Sequence, residues 1–205
     1  MRMTGVFITV EGIDGAGKTT HLAWLRDHFE ARRREVVTTR EPGGTGLGES
    51  LRALLLRSEH PAHPETEAML MFAARREHLE RVILPALQGG KVVLCDRFTD
   101  ATFAYQGHGS GVSLERLEVL EGWVQRGLQP DVTFFFDVPV TVGQQRMGTE
   151  RERDRFERER VDFFERVRAG YLQRAARYPE RIHVIDATPT IDVVRKSLEE
   201  VLARY

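Results

Sequence analysis

The chain has 205 residues, 41% hydrophobic and 30% charged, enough for one sizeable core and short for two. A formal net charge of -1 excludes the broad basic surface that non-specific nucleic-acid binding needs, so any anion must be gripped locally. The single cysteine, Cys95, excludes an intramolecular disulfide and suits a reduced, cytoplasmic protein; no apolar run reaches bilayer-spanning length, and the start MRMTGVFITV does not read as a signal peptide.

In chain order, Val6 to Val10 is a β-branched apolar run that predicts a strand. It leads into EGIDGAGKTT, where Gly12, Gly17, Lys18 and Thr19 satisfy G-x-x-x-x-G-K-[ST]. Glycines let backbone N–H groups face phosphate oxygens, Lys18 adds a point charge, and the Thr19 hydroxyl suits Mg²⁺. With a strand before it and a helix over Lys18 to Arg33 after it, the motif predicts a nucleoside-triphosphate site. The strand Val36 to Thr39 opens TREPGGTGLGESLR, whose proline and paired glycines force a turn presenting Arg40 and Glu41; a helix over Leu47 to Leu56 follows. Gly43 and Gly44 fit a purely structural loop equally well. HPAHP, His60 to Pro64, offers H-x-x-H, but its prolines argue for a loop over a helical metal face.

A helix is expected over Glu65 to Leu87, kinked or ended near Pro85. The strand Lys91 to Cys95 delivers Asp96 and Arg97; a carboxylate there stands at the ligand edge of a parallel sheet and can order Mg²⁺, with a helix cap as the competing reading. Then come a helix over Leu114 to Arg126, a strand over Val132 to Asp137, helices over Val140 to Met147 and Asp154 to Tyr178, a strand over Ile182 to Ile185 and a helix over Thr190 to Ala203. This alternation predicts a doubly wound α/β fold, five parallel strands with helices on both faces, in one domain over residues 1–205. The stretch TERERDRFERER alternates sign almost residue by residue, which by itself fits a solvated, ion-paired helix face.

EGIDGAGKTT, TREPGGTG, FAARREHL, CDRFTDATFAYQGHGSG and DRFERERVDFF together resemble the bacterial thymidylate kinases, a nucleoside monophosphate kinase group of P-loop NTPases, from about Phe7 to Thr188. The resemblance implies transfer of the γ-phosphoryl group of ATP to dTMP with Mg²⁺, and a homodimer formed through helices. It assigns catalysis to Lys18, Asp14 and Arg97, and the donor phosphates to Gly12, Ile13, Asp14, Gly15, Ala16, Gly17, Lys18, Thr19 and Thr20. Metal falls to Thr19 and Asp96, with Glu41 supporting metal and acceptor. For dTMP it implies Arg52 and Arg97 at the phosphate, Arg75 as base reader, Met71 or Phe72 over the thymine ring, Thr102 and Gln106 at its edge, and Tyr105 beside the deoxyribose.

Some members of this group carry an arginine in the phosphate loop, at the position read here as Ala16; in the bacterial branch the lid supplies it. The lid is expected over about residues 143–160, with Arg151 or Arg153 catalytic, Arg155 on the donor phosphates, and Arg158 and Arg160 on a solvated face. A guanine-reading N-K-x-D motif, which would favour a GTPase-type switch, does not occur.

Overall fold

The computed structural model describes residues 4–57, 62–148 and 155–203. Strands β1 (Val6–Glu11), β2 (Val36–Arg40), β3 (Val92–Asp96), β4 (Val132–Asp137) and β5 (Ile182–Asp186) form one sheet in the order β2-β3-β1-β4-β5, with every pairing parallel. Successive side chains of a strand point to opposite faces, and the core divides accordingly. Ile8, Val10, Val92 and Leu94 pack against helices α1 (Lys18–Glu30), α8 (Arg155–Arg177) and α9 (Ile191–Leu202), while Phe7, Val93 and Cys95 pack against α3 (Pro64–His78) and α6 (Leu114–Gln125). The remaining helices are α2 (Gly46–Arg57), α4 (Leu84–Gln88), α5 (Thr99–Thr102) and α7 (Val140–Arg146). The doubly wound α/β fold expected from the alternation is the fold observed.

Two segments depart from expectation. The helix foreseen over Glu65 to Leu87 is α3 and α4 joined by a π-helical turn, Leu79–Ile83. Pro85 does not break it: it directly follows the π-helical turn, at the start of α4. More consequentially, the segment after β3, for which no element was expected, is helical: α5 runs directly into a π-helix, Phe103–Gly109. Buried Asp100 ties it to α8 and β5's approach, accepting from Arg174 Nε (2.8 Å) and Arg181 Nη1 (2.7 Å). Arg174 in turn lies 4.0 Å over the Phe103 ring.

His63 of the HPAHP loop serves as the N-cap of α3, its Nδ1 accepting from the Glu65 amide at 3.3 Å. His60 lies outside the described residues.

Candidate active site

In the order β2-β3-β1-β4-β5 the chain leaves β1 toward β2 and leaves neighbouring β3 toward β4 in the opposite sense, so the loops after β1 and β3 open a crevice at the carboxyl edge of the sheet. The loop after β1 turns through left-handed backbone at Gly15 (φ 80°) and Gly17 (φ 87°) and enters α1 at Lys18. A Cβ built on Gly15 would come 2.1 Å from the Gly143 carbonyl oxygen, and one on Gly143 would come 2.8 Å from the Asp14 carbonyl oxygen. Loop and α7 therefore meet backbone to backbone. Lys18 Nζ donates to the Gly12 and Ile13 carbonyls, each at 3.0 Å. Burial, then the neighbouring Arg97 charge, push its pKa down to about 8.

Not every loop position faces the crevice. Ile13 and Ala16 are both buried in the core, so Ile13 contributes its carbonyl and not its side chain. The Ala16 methyl points into the core, so its side chain does not face the cleft. The loop's own cation is Lys18.

The cleft beside the loop has a volume of about 590 Å³. Asp14, Gly15, Gly17, Lys18, Thr19 and Thr20 line it from the loop, Arg40, Glu41 and Pro42 from the turn after β2, Arg52 and Leu56 from α2, Asp96 and Arg97 from the end of β3, and Arg146 from α7. A chain with almost no net charge thus gathers one lysine and four arginines at one edge, facing three carboxylates. Such a concentration of cations is the local grip on anions that composition demanded.

Arg97 sits at the centre of this arrangement. Its backbone is left-handed (φ 67°), and its guanidinium reaches Asp14 Oδ1 at 2.6 Å while lying 4.6 Å over the Tyr105 ring. Burial pushes the Tyr105 phenol up to about 12, so the ring beneath Arg97 stays neutral. Arg52 Nη1 donates to the Pro42 carbonyl at 2.9 Å, which holds it against the turn after β2.

Behind Arg97 lies a second wall. Arg75 is fully buried, its Nε donating to Glu41 Oε2 (2.7 Å) and its Nη2 to Thr102 Oγ1 (2.8 Å). The other Glu41 oxygen pairs with His78 Nδ1 at 2.9 Å, and His78 Nε2 meets Thr39 Oγ1 at 2.7 Å. Glu41, expected to support metal and acceptor, thus uses both oxygens to hold Arg75 and His78. Phe72 and Phe98 contact the Arg75 guanidinium at 4.7 and 4.9 Å. Phe72 is 1% exposed and packs against Arg75, whereas Met71 is half-buried. Gln106 Nε2 donates to Glu67 Oε1 at 2.7 Å.

Four buried side-chain atoms here make no hydrogen bond within the protein: Arg75 Nη1, Tyr105 Oη, Gln106 Oε1 and Asp96 Oδ1. Each such group costs about 1–3 kcal/mol unless something pairs with it, and all four belong to residues singled out from the sequence. Asp96 Oδ1 together with the Thr19 hydroxyl is a donor set that fits Mg²⁺, which takes one or two carboxylates and completes its shell from phosphate and water. Among the described residues no group of three or more His, Cys, Asp or Glu side chains could hold a metal ion.

Arg151 and Arg153 lie outside the described residues, and Arg155 is the first residue of α8. Sequence reasoning missed Arg146, which lines the cleft and donates to the Ala187 and Thr188 carbonyls (2.9 and 3.2 Å). The signal was available: a basic residue in the last turn of a helix that follows a parallel strand. It also missed His78 and Glu11, whose burial only the packing reveals.

A phosphate loop at a parallel-sheet switch point, facing a second, arginine-centred wall across Arg97, defines a P-loop nucleotide kinase. The family model described as thymidylate kinase matches residues 10–198. Curated thymidylate kinases from Nitrosospira multiformis (59% identical over 201 residues, 98% of each chain) and Cupriavidus metallidurans (60% over 201 residues, 98% of this chain and 99% of that one) are similar over their full lengths. The crystal structure of thymidylate kinase from Ehrlichia chaffeensis superposes with a TM-score of 0.81 at 35% identity, covering 97% of this chain and 98% of that one. The chain belongs to the thymidylate kinase family, nucleoside monophosphate kinases that make dTDP from dTMP with ATP as donor.

Proposed function

We propose that the cleft sets a 5′-phosphate oxygen of dTMP against the γ-phosphorus of ATP, with Lys18 and the loop amides on the donor and Arg97 between donor and acceptor. The new phosphorus–oxygen bond forms as the bond to the β,γ-bridging oxygen breaks, and ADP leaves with that electron pair. The attacking oxygen is already anionic, so no side chain has to act as nucleophile or general base. What remains is positioning two anions and neutralising developing charge. Thr19 and Asp96 would hold Mg²⁺, which when bound to the donor withdraws charge from the β- and γ-oxygens. The observation that carries this reading is the span of Arg97, from Asp14 on the loop to Tyr105 on the second wall.

Arg75 Nη1 is a donor and Gln106 Oε1 an acceptor, a pair that suits the carbonyl and imide N–H of a thymine edge. Tyr105 beside the sugar crowds a 2′-hydroxyl and favours the deoxy form. Arg75→Lys keeps the charge and loses the fork and the aromatic stacking, so it is expected to raise the KM for dTMP about 10²-fold and leave the KM for ATP nearly unchanged. The overall reading is tested by ADP release with dTMP, dUMP, dCMP, AMP and thymidine as acceptors. Turnover is expected to be greatest with dTMP and lower with dUMP by a factor of about ten to a few hundred, since only a methyl separates them; a preference for thymidine overturns the assignment.

The chain also carries a face suited to self-association. Trp123 (75% exposed), Val119 (71%) and Met69 (53%) stand out on α3 and α6 around two shallow depressions whose further walls are Ala68, Phe72, Leu120 and Val124. An apolar patch of this kind on paired helices suits a two-fold homodimer contact. Sedimentation at micromolar concentration is expected to give twice the 23.4 kDa chain mass, and Trp123→Arg to give the chain mass alone. No helix among the described residues is long and apolar enough to cross a membrane. The buried free Cys95 and the supply of a DNA precursor support a cytoplasmic location.

A further inference from the structure

Glu11 ends β1 and is fully buried, yet the phosphate transfer derived above does not use it. One carboxylate oxygen accepts from the Phe98 amide at 2.7 Å and the other from the Tyr171 hydroxyl at 2.8 Å. Phe98 directly follows Arg97, the one cleft arginine whose backbone is left-handed, a conformation that costs a residue with a Cβ about 1–2 kcal/mol. Two further bonds pin the same turn: Arg97 N–H to the Val10 carbonyl (3.0 Å) and Cys95 Sγ to the Arg97 carbonyl (3.0 Å). On its other side Glu11 holds Tyr171 of α8, which stacks on Phe135 (ring centroids 4.8 Å apart) and meets the edge of Tyr105 (6.3 Å), the ring beneath the Arg97 guanidinium.

We infer that Glu11 is a positioning residue for phosphoryl transfer: it fixes the left-handed turn that aims Arg97 and, through Tyr171, the aromatic platform on which that guanidinium rests. The inference rests on Arg97 acting at the transferred group. Burial, then Asp100, push the Glu11 carboxyl up to about 7, so a neutral amide of the same shape suits the site.

The test is a double-mutant cycle read as kcat at saturating ATP and dTMP. Glu11→Met, which keeps the length and removes both acceptors, is expected to lower kcat about 30-fold or more with the KM for ATP within about threefold, and Glu11→Gln to restore it to within about fivefold of the parent. In an Arg97→Ala background the Glu11→Met loss is expected to shrink to less than about threefold, because the group being aimed is gone. Equal losses in both backgrounds, or no rescue by Gln, overturn the inference. A small loss for Arg97→Ala alone overturns instead the role given to Arg97. Should circular dichroism show that the Met chain does not fold, Glu11→Asp, one methylene short of the Phe98 amide, takes its place in the cycle with the same outcomes.

Discussion

Arg97→Ala lowers kcat about 10³-fold at saturating ATP and dTMP and leaves the melting temperature nearly where it was. The two expectations have separate physical causes. The guanidinium's ion-pair partner, Asp14, has a side chain 58% exposed, and such a pair is worth about 0–1 kcal/mol to the fold. The left-handed backbone costs alanine much what it costs arginine, so the turn itself gains and loses little. In the transition state the same guanidinium faces charge that exists nowhere in the resting protein, and an arginine so placed contributes about 10³–10⁵ in rate in related transfers. Arg97→Lys is expected to recover only part of the loss, since an ammonium cannot span two oxygens and lie flat on Tyr105 at once. A loss below about tenfold for Arg97→Ala sinks this reading.

Removing Arg151 and Arg153 together is expected to cost about 10³-fold in kcat with a much smaller change in the KM for ATP. Arg146 lines the cleft and α8 begins at Arg155, so the chain between them starts from the rim of the site. Lys18 is the cation that the loop itself supplies, and on the proposed reading Arg151 or Arg153 adds to it and to Arg97 in neutralising the transferred group. The single substitutions divide the run: one of Arg151→Ala and Arg153→Ala is expected to carry most of the loss, and Arg158→Ala and Arg160→Ala almost none. Uniformly small losses across Arg151, Arg153 and Arg155 return the whole run to a solvated, ion-paired face.

The parts of the molecule legible beforehand were those where one local rule decides. β-branched runs gave all five strands, and long helical crossovers gave their parallel pairing. Glycines at Gly15 and Gly17 announced a left-handed loop that few other residues tolerate. The helical segment after Phe98 was hidden because two glycines, Gly107 and Gly109, argue against a helix locally, whereas packing stabilises it: Gly107 lies against Leu114 and Leu117, and Gly109 against Phe163 and Val167. The role of Phe72 was hidden for a related reason. The four-residue spacing to Arg75 picks out Met71, and an aromatic next to it looks like an alternative stacking group, yet on α3 the Arg75 guanidinium lies over the Phe72 ring. Ala16 shows the same limit, since a loop position does not declare from sequence which way its side chain points. Partnerships between distant residues, such as Arg75 with Glu41, leave no trace in local spacing at all.

The contact between Gly15 and Gly143 has a mechanical consequence. Two backbones in touch transmit displacement with no side chain between them to give way, so the first turns of α7 ride with the phosphate loop as one body. Arg146, anchored to the Ala187 and Thr188 carbonyls, extends that body to the end of the helix. Residues 143–146, the start of the segment expected as a lid, are therefore tied on one side to the phosphate loop and on the other to the chain after β5.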